Sequence, residues 1–381
     1  MTEQALTNVI DYDLTDGVEI LSRCFTPDTC GQVEELEPFA FVPPEQYDSP
    51  PTATDPDVVA IRELFEKPYK GGPKGRQVAY SILGDDSDSG EITALFMNWG
   101  RCRDESMIRE IAGILRMSPG MRLLVSDHPN TGESDPLPRA VSKEVARSGR
   151  HTAFAEVVLG GLASAFEDYV LTIRARSEGG LVGLEVAAQL ERPVKAISVF
   201  DSPGSRELRV GEKSNIAALE TIALLRGMRH YFLDGEAKHA LAYASVPGFD
   251  PEAARIRSEG ISHAEVARSV ARLILEKRFM TQVIRLPLSM ARGKLGEAIG
   301  DAMPNVTGNM TFISPIYSEL NRPGDVKTVF EEVVKEADPS ELPGVVRQLI
   351  INGTHAFGTS TPDALTVVEN HALHNNYGER V

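Results

Sequence analysis

Tyr169-Val170-Leu171-Thr172-Ile173-Arg174-Ala175-Arg176-Ser177-Glu178-Gly179-Gly180 is the stretch on which the reading turns. The apolar run from Tyr169 to Ile173 predicts a strand, extended to about Ala175. The run from Gly180 to Leu190 carries Val182, Val186 and Leu190 at four-residue steps and predicts a helix. Ser177 stands at the sharp turn between them, with Ala175 and Gly179 on its two sides. Small side chains there let strand and helix approach. The turn then lifts the serine Oγ above the sheet edge and aims a helix N-terminus at it. The first flanking position more often holds Gly than Ala, a mild departure.

Strand and helix patterns alternate on both sides of this turn. Strands are expected over Val78–Leu83, Ile92–Asn98, Met121–Ser126, Val194–Phe200, Met310–Ile316 and Val345–Asn352. Helices are expected over Asp55–Lys67, Asp104–Met117, Thr152–Phe166, Asp325–Lys335 and Pro362–Leu373. Their apolar stripes recur at helical spacing, as in Met107, Ile108, Ile111 and Ile114, or Phe154, Val157, Val158 and Leu162. Such alternation predicts an α/β fold, a mostly parallel central sheet flanked by helices.

The rhythm breaks between about Pro203 and Pro304, where the pattern is helical; Ser262 and Glu265 form a capping-box pair there. This reads as a helical cap insertion. The expected organisation is an N-terminal extension (1–70), a first core part (71–202), the cap (203–306) and a second core part (307–381). The extension would cover the sheet edge, mediate dimer contacts or stay partly mobile.

The 381 residues carry 39 basic and 55 acidic side chains, a net charge of -16. With no basic run, nucleic acid and anionic membrane are not the expected partners. The three cysteines (Cys24, Cys30, Cys102) fit no common zinc spacing, and their odd number excludes a full disulfide framework. No apolar run is long enough to span a bilayer, and the N-terminus lacks the features of a signal peptide. A cytoplasmic protein is expected, with no metal.

A serine hydroxyl needs a base to attack at neutral pH. Of eight histidines, His355 alone lies just beyond a late strand, in Asn352-Gly353-Thr354-His355-Ala356-Phe357. Gly353 permits the tight loop that would carry the ring back over the sheet edge.

These features together resemble the α/β-hydrolase superfamily, over about Gln77 to Leu373 outside the insertion. Asn98-Trp99-Gly100-Arg101 stands where the family often has His-Gly-x. Asp127-His128-Pro129-Asn130-Thr131-Gly132-Glu133-Ser134 is similar to the family's Asp-x-Pro-Gly-x-Gly-x-Ser loop, with Asn130 at its first glycine. The serine turn, an insertion, and Gly353-x-His355 before Pro362-Asp363 follow in the family's order.

The resemblance implies a Ser177–His355–acid triad. It implies an oxyanion hole from the backbone N–H groups of Glu178 and Arg101. Trp99 becomes a pocket candidate. The acid is Glu319 by its distance from the strand start, with Asp325 and Asp201 as alternatives. Asp325 also suits a helix N-cap. For Glu178 the simpler reading is a solvated carboxylate at a helix N-terminus, with Arg174 and Arg176 near enough in sequence to pair with it. The implied activity is hydrolysis of a small-molecule ester or acyl substrate without a cofactor. The same triad also serves amidases, peptidases and acyltransferases, and the fold serves ligand-binding proteins with little turnover. The oligomeric state is open, a homodimer among the options.

Overall fold

A computed structural model of the chain describes residues 20–25, 32–34, 51–52, 54–84, 90–97, 105–129, 132–207, 289, 292–316, 318, 321, 323–351 and 362–374. Ten strands form one sheet: β1 (Ile20–Phe25), β2 (Gln32–Glu34), β3 (Tyr69–Gly71), β4 (Val78–Gly84), β5 (Glu91–Phe96), β6 (Arg122–Ser126), β7 (Val170–Arg176), β8 (Val194–Phe200), β9 (Asn309–Pro315) and β10 (Val345–Ile351). The helices used below are α1 (Pro56–Glu66), α2 (Glu105–Met117), α3 (Arg139–Ser148), α4 (Thr152–Phe166), α5 (Glu178–Gln189), α6 (Leu295–Ala302), α7 (Pro323–Glu336) and α8 (Pro362–His374).

The spatial order is β2-β1-β10-β9-β8-β7-β5-β6-β4-β3. From β6 through β5, β7, β8 and β9 to β10 every neighbouring pair is parallel; β4 runs antiparallel to β6. The chain passes from β5 to β6 on one side, then crosses to β7 on the other. Strand order therefore reverses at β5, and the crevice between the C-terminal ends of β5 and β7 is where such sheets receive ligands.

The expected stripes face inward. Met107, Ile108, Ile111 and Ile114 of α2 are buried, as are Phe154, Val157, Val158 and Leu162 of α4. Strand β7 is buried on both faces from Leu171 onward. Leu171, Ile173 and Ala175 join the core under α4 and α5, while Thr172, Arg174 and Arg176 alternate with them.

The N-terminal extension is partly structural: β1 pairs antiparallel with β10 and extends the sheet. Phe25 stacks on Phe330 of α7 at 4.8 Å between ring centroids, and Phe330 meets Phe312 of β9 edge-on at 4.6 Å. Helix α1 seats Val58, Ile61 and Phe65 in the core with α2. Helix α6 falls inside the expected cap interval but belongs to the sheet's own covering. Its Leu295 and Ile299 are buried in the main core. Arg150 ties it to α5, bonding Glu185 at 2.5 Å and Asp301 at 2.6 Å. Residues 208–288, the bulk of the expected cap with its capping box, lie outside the described residues.

Phe25 is the aromatic that seats β1 on the core. Phe25→Ala is expected to cost about 3–5 kcal/mol, read as a lowered urea midpoint; an unchanged midpoint would mean that β1 is not part of the cooperative fold.

Candidate active site

Ser177 follows β7 directly and caps α5 with φ 55° and ψ −131°. A side chain rarely adopts positive φ, and holding one there costs on the order of 1–3 kcal/mol. Two backbone hydrogen bonds offset that cost: Ser177 N–H donates to Phe200 O at 2.8 Å, and Gly180 N–H to Ser177 O at 2.9 Å. Ser177 is thereby fixed between the C-terminal ends of β5 and β8.

Gly179 shows why the turn demands a glycine. A Cβ there would stand 2.7 Å from Met97 O and closer still to Phe96 O at the end of β5. Ala175, the imperfect flanking position, is fully buried. A Cβ on Gly183 would stand only 2.9 Å from the Ala175 Cβ, so the glycine at 183 makes room for it.

The reading of Glu178 as a solvated carboxylate is overturned. Glu178 is 4% exposed and Ser177 5%. Ser177 Oγ donates to Glu178 Oε2 at 2.8 Å. The neighbouring arginines pair elsewhere: Arg176 with Glu110 and Glu369, Arg174 with Glu369. They lie on the strand, whose alternation turns them under the sheet and away from its C-terminal edge.

Among the described residues Asp201 is the other non-glycine residue with positive φ, at 40°, just past β8. Ser318 Oγ donates to its Oδ2 at 2.6 Å, and Asn321 Nδ2 to its Oδ1 at 3.2 Å. Asn321 also donates to Ser202 O at 2.5 Å and accepts from Ser205 Oγ at 2.6 Å. One carboxylate thus joins the loop after β8 to the loop after β9. Sequence reasoning missed Ser318 and Asn321, because the contacts span more than a hundred residues. Asp325 is the third residue of α7, within its first turn and not at its N-cap, and faces Arg206 at 3.6 Å. His355, Glu319, Trp99 and Arg101 lie outside the described residues.

The Asp127 loop is built as a clasp. Asp127 Oδ2 accepts from Glu133 N–H at 2.8 Å; Ser134 Oγ donates to Asp127 O at 2.7 Å and accepts from Ala79 N–H at 2.8 Å. Gly132, at φ +46°, lies so close that a Cβ would collide with the Asp127 carboxyl. His128 hydrogen-bonds Met97 O at the end of β5. A carbonyl only accepts, so Nε2 carries the proton. Burial lowers His128 to about 4 against this bond, and burial lowers His151 to about 3, helped by His128 and Arg150.

Among the described residues, no group of three His, Cys, Asp or Glu could hold a metal ion. No described helix is long and apolar enough to cross a membrane.

No protein-family model matches the chain, and no curated protein matches it. Solved structures do. E-2-(Acetamidomethylene)succinate hydrolase aligns with 81% of this chain and 99% of its own, at 14% identity and a TM-score of 0.50. The enol-lactonase from Burkholderia xenovorans LB400 aligns with 81% and 100%, at 17% identity and 0.46. MGS-M2, an alpha/beta hydrolase enzyme from a Medee basin deep-sea metagenome library, aligns with 78% and 94%, at 14% and 0.49. Identities this low speak for architecture alone. With the strand order, the antiparallel β4 and the serine turn after β7, the chain has the α/β-hydrolase fold.

Two outcomes follow from this geometry. Gly179→Ala is expected to destabilise by about 1–3 kcal/mol and to displace the serine turn, seen as a lower melting temperature; a wild-type melting temperature would refute the close approach. Both buried histidines stay neutral when folded, whereas in the unfolded chain imidazole protonates near the ordinary 6.5. The unfolded chain then binds more protons below that pH, so stability is complete above it and falls as the pH drops toward about 4. The urea midpoint should fall between about pH 7 and about pH 5, and His128→Gln, which keeps a donor to Met97 O, should flatten the fall. An equally steep fall in that variant would exclude His128 as a cause.

Proposed function

We propose that this chain is a serine hydrolase acting on a small carboxylic ester, with Ser177 as its nucleophile. The observation that carries the reading is the strained turn at Ser177. It holds a serine at the N-terminus of α5, at the crevice where strand order reverses.

In this reading Ser177 Oγ attacks the ester carbonyl carbon and His355 takes the hydroxyl proton. The carbonyl electron pair moves to oxygen, held by the N–H groups of Glu178 and Arg101. As that pair returns, the C–O bond to the alcohol breaks and the alcohol leaves with the proton from His355. A water deprotonated by His355 then attacks the acyl-enzyme and frees the acid and Ser177. Glu319 is the assigned acid. Its neighbours Ser318 and Asn321 are anchored to Asp201 beside the serine turn, and Asp201, with two lone pairs on each oxygen, stays the alternative acid. Asp325 is engaged with Arg206 instead. Trp99 is assigned to the pocket wall.

The Ser177–Glu178 hydrogen bond favours a second reading, a ligand-binding protein with slow turnover. A carboxylate 2.8 Å from the attacking oxygen opposes a negative charge developing beside it.

A fluorophosphonate probe separates the two. The reading requires stoichiometric labelling of Ser177 in the folded protein, with p-nitrophenyl ester turnover that Ser177→Ala abolishes. A folded but unlabelled protein refutes the hydrolase and supports the binder. Labelling with turnover of aminoacyl anilides and none of esters moves the activity to amides.

A further inference from the structure

The two faces of the sheet are packed by different means. Under α4, α5, α6 and α7 the core is one continuous apolar cluster. The face under α1, α2 and α8 holds two separate apolar clusters, one around α1 and α2, one around α8. Between them lies the outward-alternating side of β7, and there the sheet presents Arg174 and Arg176.

Arg176 immediately precedes Ser177 and is buried. Its Nε donates to Glu369 Oε1 at 2.7 Å; its terminal nitrogens bond Glu369 Oε2 and Glu110 Oε1. Burial alone would lower this guanidinium, but Glu369 and Glu110 outweigh it and shift it upward. Arg174 hydrogen-bonds Asn370 and stands 3.5 Å from Glu369; burial brings it down to about 10. Asn370 donates to Met117 O at 3.1 Å and accepts from Ser118 Oγ at 3.1 Å. The residue before the serine is therefore bolted both to α2, through Glu110, and to α8, through Glu369.

Stability is a weak reason for such a network. Apolar residues of the same volume often stabilise as well or better, since the ions must be desolvated. A planar fork bonded to two carboxylates gives direction, holding its partners at one distance and one angle. Helix α8 is the element that follows residues 352–361, which carry His355.

We propose that Arg176 is a positioning residue: its fork to Glu369 and Glu110 fixes the end of β7, and with it Ser177, against the helix that follows the His355 segment. The proposal rests on the serine-hydrolase reading above. It makes α8 and β7 a single frame behind Ser177.

Two full-length variants test it. Arg176→Lys keeps the charge and loses the fork. Arg176→Met with Glu110→Leu removes one charge of each sign and leaves Glu369 with Arg174. Each is checked for fold by its circular-dichroism melt and then reacted with a fluorophosphonate from about pH 5 to about pH 9. Both should fold, label Ser177 roughly a hundredfold more slowly, and show a weaker rise of rate through the imidazole range. Wild-type rates and pH profile in either folded variant overturn the proposal. So does loss of fold in both, which would make the pair purely structural. If Arg176→Lys alone fails to fold, the double variant decides. An unlabelled wild type would instead sink the hydrolase reading and this proposal with it, whereas a labelled wild type with unaffected variants sinks the proposal only.

Discussion

The backbone of Ser177 stands at φ 55° because four elements converge on it. β7 delivers the residue, β8 accepts its N–H, α5 begins with its carbonyl, and β5 lies so close that only glycine fits at 179. An isolated peptide would not hold this conformation, since its cost is about 1–3 kcal/mol and one of the two hydrogen bonds that offset it comes from Phe200 on another strand. Much else follows from it. Helix α5 points its N-terminal N–H groups at the serine, and Glu185 farther along α5 seats α6 through Arg150. The end of β5 is held in turn by His128 on Met97 O.

The sheet edge above this turn is organised by polar residues that work in pairs across long sequence distances. Asp201 gathers Ser318 and Asn321 over β8, and the Asp127 clasp holds the loop after β6 to β4. Beneath the edge, Arg176 and Glu369 join residues 193 apart in the chain. Each pairing fixes one loop or helix end near the serine without touching it. The apolar core supplies the driving force for collapse, and these buried polar contacts set where the strand ends come to rest.

Much of the fold was legible in the sequence. Thr152–Phe166 and Val194–Phe200 match their expected ranges to the residue, and the stripe residues of α2, α4 and α7 face the core. Those elements carry their pattern within themselves. The strands β1 and β2 were missed because their short segments sit in an acidic stretch and gain their pairing from far along the chain, β1 from β10 and β2 through β1. Helix α3 was missed because few of its side chains are apolar; only Ser142 and Val145 are buried. Ser177 was legible from its small flanking residues, whereas Glu178 was misread. A carboxylate at a helix N-terminus is ordinarily solvated, and only the closeness of the surrounding strand ends buries this one.

By itself the sequence determined the order of strands and helices, the parallel sheet, and a serine at a strand-to-helix turn. Periodicity and small-residue placement are local, and hydrophobic burial acts on them wherever they occur. The tertiary structure decided what surrounds that serine: a buried carboxylate on its hydroxyl, a strained aspartate just past the next strand, and a charged fork beneath it. The last two rest on contacts between residues far apart in the chain. Each depends on which way a side chain turns at a sheet edge, and a one-residue shift in register would reverse that direction.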